Sequence, residues 1–396
     1  MKTVIHYKSD PYLPITETWI YGQIKNLKTY KPVVYCYGTD NLDIYPVEHI
    51  RSLEFKKPAR GAFAFFNKRL NRIFISYPFF KKSLLEDKPD LVHAHYGTSG
   101  YDFLRLAKIF RLPLITTFYG FDLSLLPSQN PAWRKRYNKL FAVGKLFLVE
   151  GNHMKKCLIE LGCSQDKILV QHLGVDTDKI KFQPRKLRDE GEIRILISAH
   201  FREKKGIPYA VEAFAKVSQA HPELNLKLTI IGDSAGAPRE EEEKSRIFNI
   251  IQKYNLGEQI NLLGYQRYPV FIKELYNHHL FLQPSVQSSD GDTEGGAPVS
   301  IIEASASGMP VLATRHCDIP EVVIDNESGY LVPERNVDAL AEKLEFLVLN
   351  PPVWEKMGQK GREHIEENYN VKKQVERLEE IYDSVLDWQK IKQSVY

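Results

Sequence analysis

The sequence predicts an α/β chain built as two doubly wound parallel-sheet domains facing a cleft. Three observations lead there. Short apolar runs alternate with longer helical patterns along almost all of the 396 residues, the pattern of parallel sheets covered on both faces. The length exceeds one ordinary domain and suits two of about 180 residues each. A hydrophobic content of 43% supplies two cores, while 26% charge is ordinary for a soluble protein.

The elements follow in order. In the first half the strand candidates are TVIHY, VVYCY, LVHAH, PLITTF, LFLV and ILVQ. In the second they are IRILISA, LKLTIIG, INLLG, LFLQPS, PVLAT and GYLV. The charged stretch Gln183–Glu192 between them reads as a linker, which gives domains at 1–185 and 186–370. Beyond Pro352 the chain is helical, and the amphipathic segment 371–396 is longer than the last unit needs. It is assigned to cross back onto the first domain, with pairing to another chain as the alternative. The opening MKTVIHYKSD is too short and too polar for a signal peptide and reads as a first buried strand. No stretch approaches the roughly 20 apolar residues of a membrane span. Cys36, Cys157, Cys163 and Cys317 show no CxxC spacing and read as reduced thiols of a cytoplasmic protein.

The net charge of +4 conceals an asymmetry. Residues 1–185 hold 29 Lys and Arg against 16 acids, and residues 186–396 hold 25 against 34. The first half is thus expected to meet something anionic. The excess concentrates in Arg51–Lys82, with nine basic residues, one acid (Glu54) and eight aromatics. Such a segment suits an anionic membrane surface, which would make the protein peripheral on the inner face of the plasma membrane. It equally suits a helical hairpin with phenylalanines in the core and lysines in solvent. No zinc-finger, helix-turn-helix or RNP pattern is present, so nucleic acid is not expected as a partner.

Open parallel sheets bind ligands beyond the carboxyl ends of their strands. Behind LVHAH and PLITTF come YGTSG and YGFD, with His93, His95, Tyr119 and Asp122. Behind IRILISA comes HFREKKGIP, with His200, Arg202, Lys204 and Lys205 before a helix. Cations at a helix N-terminus favour phosphate, particularly a diphosphate; a solvated basic loop is the plainer reading. Behind LFLQPS comes DGDTEGGAPVSIIEASASGMPVLAT. There Pro298 suits a first turn, Val299–Ser307 reads as helix, Gly308 as its left-handed stop and Met309–Thr314 as a buried strand. Glu303 lies among Ile301, Ile302, Ala304 and Ala306, and a buried carboxylate needs a hydrogen-bonding partner, which a ligand can be. Walker and GxGxxG motifs are absent, so a nucleotide would be held without either fingerprint. The acidic run Asp290–Glu294 lacks EF-hand spacing and is expected to be solvated. His93 and His95 face the same way on a strand, but no third metal ligand is evident, so packing and acceptor contacts are expected of them.

At this point a resemblance carries the reading further. TEGGAPVSIIEASASGMPVLAT resembles the C-terminal signature of retaining glycosyltransferases of the large group 1 class (family 4), which have the GT-B fold of two Rossmann-like domains. PYLPITETWIYGQI, LVHAHYG, TTFYGFD, HLGVD, EKKGIPYAVEAF, LTIIGD, INLLGY and LFLQPS agree in order over nearly the whole chain. The resemblance implies transfer of a sugar from a nucleoside-diphosphate sugar to a glycan or lipid-linked acceptor in surface polysaccharide assembly. It implies no cofactor and no required metal.

Residue by residue, Lys205 matches the lysine that holds the donor diphosphate, and Glu303 the glutamate that receives the ribose hydroxyls. Gly295, Gly296, Ala297, Pro298 and Val299 match the loop that presents backbone amides to the donor. Asp122 matches the aspartate near the acceptor, with Glu17, His95 and Tyr119 beside it. Three positions depart. The first glutamate of the family's Glu-x7-Glu aligns with Gly295, leaving Glu294 one place earlier to take its part. The phosphate-binding arginine aligns with His200, leaving Arg202 as stand-in. Tyr119 replaces a histidine. These departures keep two other readings in view, a non-catalytic sugar-nucleotide-binding subunit and a sugar-nucleotide epimerase.

Overall fold

Two separate sheets carry the chain, and every strand pairing among the described residues is parallel. The computed structural model describes residues 1–14, 17–52, 76–187 and 191–394. Most of the basic-aromatic segment Arg51–Lys82 lies outside the described residues. Of its ends, Arg51 pairs with Asp87 at 2.6 Å, Phe80 is wholly buried, and Lys81 and Lys82 are exposed. Among the described residues no helix is long and apolar enough to cross a membrane.

The first unit comprises Met1–Gly174 together with Val371–Tyr396. Its strands are β1 (Lys2–Tyr12), β2 (Tyr30–Thr39), β3 (Ile50–Ser52), β4 (Leu91–His95), β5 (Leu114–Thr117), β6 (Leu146–Val149) and β7 (Ile168–Val170), in sheet order β3-β2-β1-β4-β5-β6-β7. Its helices are α1 (Thr18–Asn26), α2 (Ser76–Asp87), α3 (Gly97–Phe110), α4 (Gly120–Leu123), α5 (Leu125–Gln129), α6 (Ala132–Val143) and α7 (Asn152–Glu160). The order reverses between β1 and β4, and their register sets His6 beside His93.

The second unit is Val175–Asn370. Its strands are β8 (Glu192–Ser198), β9 (Asn225–Ile231), β10 (Ile260–Gly264), β11 (Leu280–Gln283), β12 (Val311–Thr314) and β13 (Gly329–Val332), in order β10-β9-β8-β11-β12-β13. Its helices are α8 (Ile207–Ala220), α9 (Pro238–Lys253), α10 (Tyr268–Asn277), α11 (Val299–Ser307), α12 (Ile319–Val322), α13 (Val337–Leu349) and α14 (Val353–Asn368). The reversal here is between β8 and β11, so the turns after those two strands meet at the place where such sheets bind ligands.

All twelve strand candidates correspond to observed strands; β3 was not foreseen. Its three residues, IRS, are too few to show a period. The boundary also moves. The structure passes from one unit to the other at Gly174–Val175 rather than at 185/186. The start of the expected linker is fastened into the second unit. Arg185 donates to the carbonyls of His278 and Leu275 and to the Ser307 hydroxyl, while the Gln183 amide donates to the Ser307 carbonyl at 3.0 Å.

The chain then returns to the first unit as α15 (Val371–Ser394). Leu378, Ile381, Tyr382 and Val385 pack on Val4, Tyr30, Leu91, Ile115 and Leu148, covering one face of the first sheet. Each such side chain contributes about 1.5–3 kcal/mol when fully buried. Polar contacts fix the register. Glu379 accepts from the backbone amides of Lys28, Thr29 and Tyr30, and the Gln171 side chain donates to the Gln374 carbonyl at 2.9 Å.

Candidate functional site

The second unit gathers its candidate residues on the turns after β8, β11 and β12. After β8 a single turn of 3-10 helix, Glu203–Lys205, leads into Gly206, whose φ of 65° is left-handed. A Cβ there would lie 1.9 Å from the Pro284 carbonyl oxygen, so only glycine lets the start of α8 close on the exit of β11. That approach points Lys204 and Lys205 at the acidic loop. Lys205 Nζ lies 2.7 Å from Glu294 Oε2, and Ser285 donates to Glu294 Oε1 at 2.7 Å. Lys204 Nζ donates to Asp292 at 3.1 Å and to the Thr293 carbonyl at 2.9 Å.

The electrostatics follow from this packing. Burial works to raise the Glu294 carboxyl, but Lys205, Lys204 and the Ser285 hydroxyl outweigh it and hold the group down at about 2. Burial lowers the Lys205 ammonium, with Glu294 opposing. The expectation of a solvated acidic run is corrected: Asp290 pairs with Arg239 at 2.5 Å, Asp292 with Lys204 and Glu294 with Lys205. The loop carries acids because the turn facing it carries lysines.

Beside this pair, Arg202 Nε donates to Glu240 at 2.9 Å and stays half exposed. The Tyr265 hydroxyl donates to the Asp233 carbonyl at 2.8 Å and lies 2.9 Å from His200 Nδ1. Burial lowers His200, helped by Arg202, Lys205 and Lys204.

Helix α11 spans the predicted residues, with Pro298 one place outside as its cap and Gly308 at φ 91° as its left-handed stop. Gly295 also has a left-handed φ of 76°, which lets the chain turn between Glu294 and the helix. Glu303 is 6% exposed, and burial pushes its carboxyl up to about 7. A partner that the sequence did not reveal is present: Tyr268 at the start of α10 donates its hydroxyl to Glu303 Oε1 at 2.7 Å. Lys205 and Glu294 are thus brought into contact, while Arg202, His200 and Glu303 each hold a different partner.

In the first unit, Asp122 is fully buried at the start of α4. Its Oδ2 accepts from the amides of Gly97 at 2.9 Å and Tyr119 at 3.3 Å; its Oδ1 has no partner among the described residues. Burial pushes the carboxyl up to about 7 despite those donors. Glu17 accepts from the Tyr96 hydroxyl at 2.8 Å and pairs with Lys8 at 2.9 Å.

Tyr119 turns its hydroxyl to His95 Nδ1, 3.0 Å away. The absence of a third histidine, assumed from the sequence, is corrected. Strand pairing brings His6 to His93 and His95, and donor atoms of all three lie within 4.8 Å of one another. His6 Nδ1 lies 3.0 Å from His95 Nε2, and both nitrogens of His93 lie 2.6 Å from hydroxyls, of Tyr382 and Thr117. These partners make the cluster a hydrogen-bonded network of imidazoles that burial keeps neutral.

Sequence reasoning passed over His316, Glu334, Ser285, Glu240 and Tyr268. The signal for His316 was available: it follows PVLAT as the other candidates follow their strands. Ser285 and Tyr268 gave none, because serine after a strand and tyrosine at a helix start are common.

Comparison with known proteins adds the following. The family described as "Glycosyl transferases group 1" matches residues 178–364, and "Glycosyltransferase Family 4" matches residues 28–179. The putative colanic acid biosynthesis glycosyltransferase WcaL of Escherichia coli K12 is 31% identical over 287 residues, covering 72% of this chain and 68% of WcaL. The amylovoran biosynthesis glycosyltransferase AmsK of Erwinia amylovora is 33% identical over 253 residues, covering 63% of this chain and 59% of AmsK. Among solved structures, Anabaena HepE in complex with UDP and glucose superposes with a TM-score of 0.75 at 15% identity, covering 97% of this chain and all (100%) of that one. Sucrose-phosphate synthase from Thermosynechococcus elongatus gives 0.76 at 18% identity, covering 98% and 100%.

Proposed function

The chain belongs to the group 1 glycosyltransferases of family 4 and has their GT-B fold, and from that premise we propose that it transfers a sugar from a nucleoside-diphosphate sugar to a glycan or lipid-linked glycan in exopolysaccharide synthesis. The names of WcaL and AmsK support the pathway class, and the UDP in HepE supports the donor class. The observation that carries the reading is the buried Lys205–Glu294 pair at the point where the second sheet reverses.

In this reading Lys205 exchanges its carboxylate partner for the donor diphosphate, whose charge grows as the glycosidic bond breaks. The N-terminus of α8 lies directly behind it, so a helix dipole adds to the ammonium. Preorganised charge of this kind commonly supplies the greater part of an enzyme's stabilisation of the transition state. Glu294 accepts from a hydroxyl of the donor sugar. Glu303 accepts from the ribose, a role supported by its acceptance of the Tyr268 hydroxyl. Arg202, half exposed, swings from Glu240 to the phosphates. No covalent enzyme intermediate is needed: the leaving phosphate oxygen takes the proton of the acceptor hydroxyl on the same face, so configuration is retained. Asp122, Tyr119, His95 and Glu17 shape the acceptor side, and no step calls on a metal ion.

The test is nucleoside-diphosphate release from UDP-, GDP-, ADP- and TDP-sugars with membrane extract as acceptor, beside a Lys205→Ala control. Acceptor-dependent release from one donor, lost in the control, is the expected result. Donor binding without release would mark a non-catalytic sugar-nucleotide-binding subunit. Absence of binding would overturn the assignment of the site.

A further inference from the structure

We propose that His316 is a positioning residue that sets the donor loop, so that the Glu294 carboxylate meets the donor sugar; this rests on the reading of Glu294 above. His316 follows β12 and is 2% exposed. Its Nδ1 lies 2.7 Å from Glu334 Oε1, and its Nε2 accepts from the backbone amide of Glu294 at 3.2 Å. A nitrogen that accepts an N–H carries a lone pair, so the neutral ring has its proton on Nδ1 and donates it to Glu334.

Cys317 completes the arrangement. Its sulfur lies 3.1 Å from His316 Nε2, and burial pushes the thiol up to about 12, with contacts to the Gly295 backbone and the Thr293 side chain. The thiol is therefore an S–H packed beneath the loop rather than a nucleophile. One imidazole nitrogen thus accepts from the backbone of Glu294, with the sulfur of its own neighbour close by, while Glu334 fixes which nitrogen does so. Lys205 and Ser285 hold the end of the Glu294 side chain; His316 holds its backbone. Once Lys205 turns to the phosphates, the Ser285 hydroxyl is left holding the carboxylate. The backbone tether keeps it at the sugar.

The tautomer can be read without any ligand. Long-range proton–nitrogen NMR of the imidazoles, with His316 assigned by its loss in His316→Gln, is expected to show Nδ1–H; an Nε2–H ring would overturn the proposal.

The functional arm uses the donor that the wild type turns over, beside its nucleoside diphosphate alone. His316→Phe is expected to weaken nucleotide-sugar binding about tenfold, the effect of one misplaced polar contact, while diphosphate binding changes less than about twofold. His316→Gln, whose amide oxygen can still accept from Glu294, is expected to recover most of the loss. Glu334→Ala, at a partly exposed position, gives the same direction if the buried substitution does not fold. Equal loss of both ligands, or a His316→Phe protein that binds donor like the wild type, would overturn the positioning role alone. A wild type that binds no donor would overturn the reading of the whole site.

Discussion

Replacing Lys205 by methionine separates the structural from the chemical worth of the buried pair. The side chains of Lys205 and Glu294 are 17% and 5% exposed and meet at 2.7 Å. Removing one partner of a buried pair costs about 3–5 kcal/mol, because the other charge stays behind unpaired. Here the Ser285 hydroxyl remains on Glu294, and the Lys204 ammonium remains nearby although engaged with Asp292 and Thr293. The lower end of that range, about 3 kcal/mol, is therefore expected for Lys205→Met. Adding Glu294→Gln removes the stranded charge and should restore most of the stability. Activity should behave differently. Loss of a preorganised charge on a leaving group costs about 100–1,000-fold in kcat, and the double variant should be no better than the single one. Urea unfolding and donor-derived diphosphate release measure the two quantities on the same samples. A Lys205→Met protein of unchanged stability would refute the electrostatic account of the pair. Wild-type release by the double variant would refute the catalytic one.

Other substitutions test the remaining geometry. Glu303 and Asp122 have carboxyls raised to about 7, so each remains protonated in the fold where the unfolded chain has already ionised. They therefore disfavour folding increasingly as pH rises from the ordinary carboxylate range to about 7, and Glu303→Gln should flatten that part of a melting-temperature profile while weakening nucleotide binding in calorimetry. Glu203 and Glu294 show the opposite sign. Both are held at about 2, so their contribution is fully present above the ordinary carboxylate range and is lost as pH falls toward 2. Glu203, whose oxygens accept from Ser288, Ser289 and Arg239, loses that contribution in acid, and Glu203→Gln should shift acid unfolding to higher pH. Gly206→Ala should destabilise by about 1–3 kcal/mol and reduce turnover, since both its φ and the Pro284 carbonyl forbid a Cβ; an alanine variant of wild-type stability and rate would contradict that reading.

What was legible in the sequence differs between backbone and side chains. LVHAH, LFLV, INLLG and GYLV match β4, β6, β10 and β13 residue for residue; β4 is buried throughout and β6 and β13 nearly so, as parallel strands covered on both faces are, while β10 lies at the edge of its sheet and is partly exposed. Val299–Ser307 was equally clear, bounded by a proline and a left-handed glycine. Pairings across the fold were not legible. Nothing near Arg202 announces Glu240, and nothing near Glu303 announces Tyr268. His6 joins His93 and His95 only through the pairing of β1 with β4. The linker was misplaced for a related reason. Gln183–Arg185 is polar like a surface loop, yet its polar atoms are spent on the carbonyls and hydroxyl of the second unit, which composition cannot reveal.

The return of α15 to the first sheet imposes an order on biosynthesis. A ribosome delivers β1 to β7 early, but Val4, Leu91, Ile115 and Leu148 receive Leu378, Ile381 and Tyr382 only after the whole second unit has been made. Throughout that interval the nascent first unit presents an uncovered apolar face, while the second unit, continuous from Val175 to Asn370, has everything it needs to fold. The half of the chain that emerges first is thus the half completed last. A premature stop shortly before Val371 would release a finished second unit attached to a first unit with an exposed sheet, a product suited to chaperone capture and proteolysis rather than to partial activity.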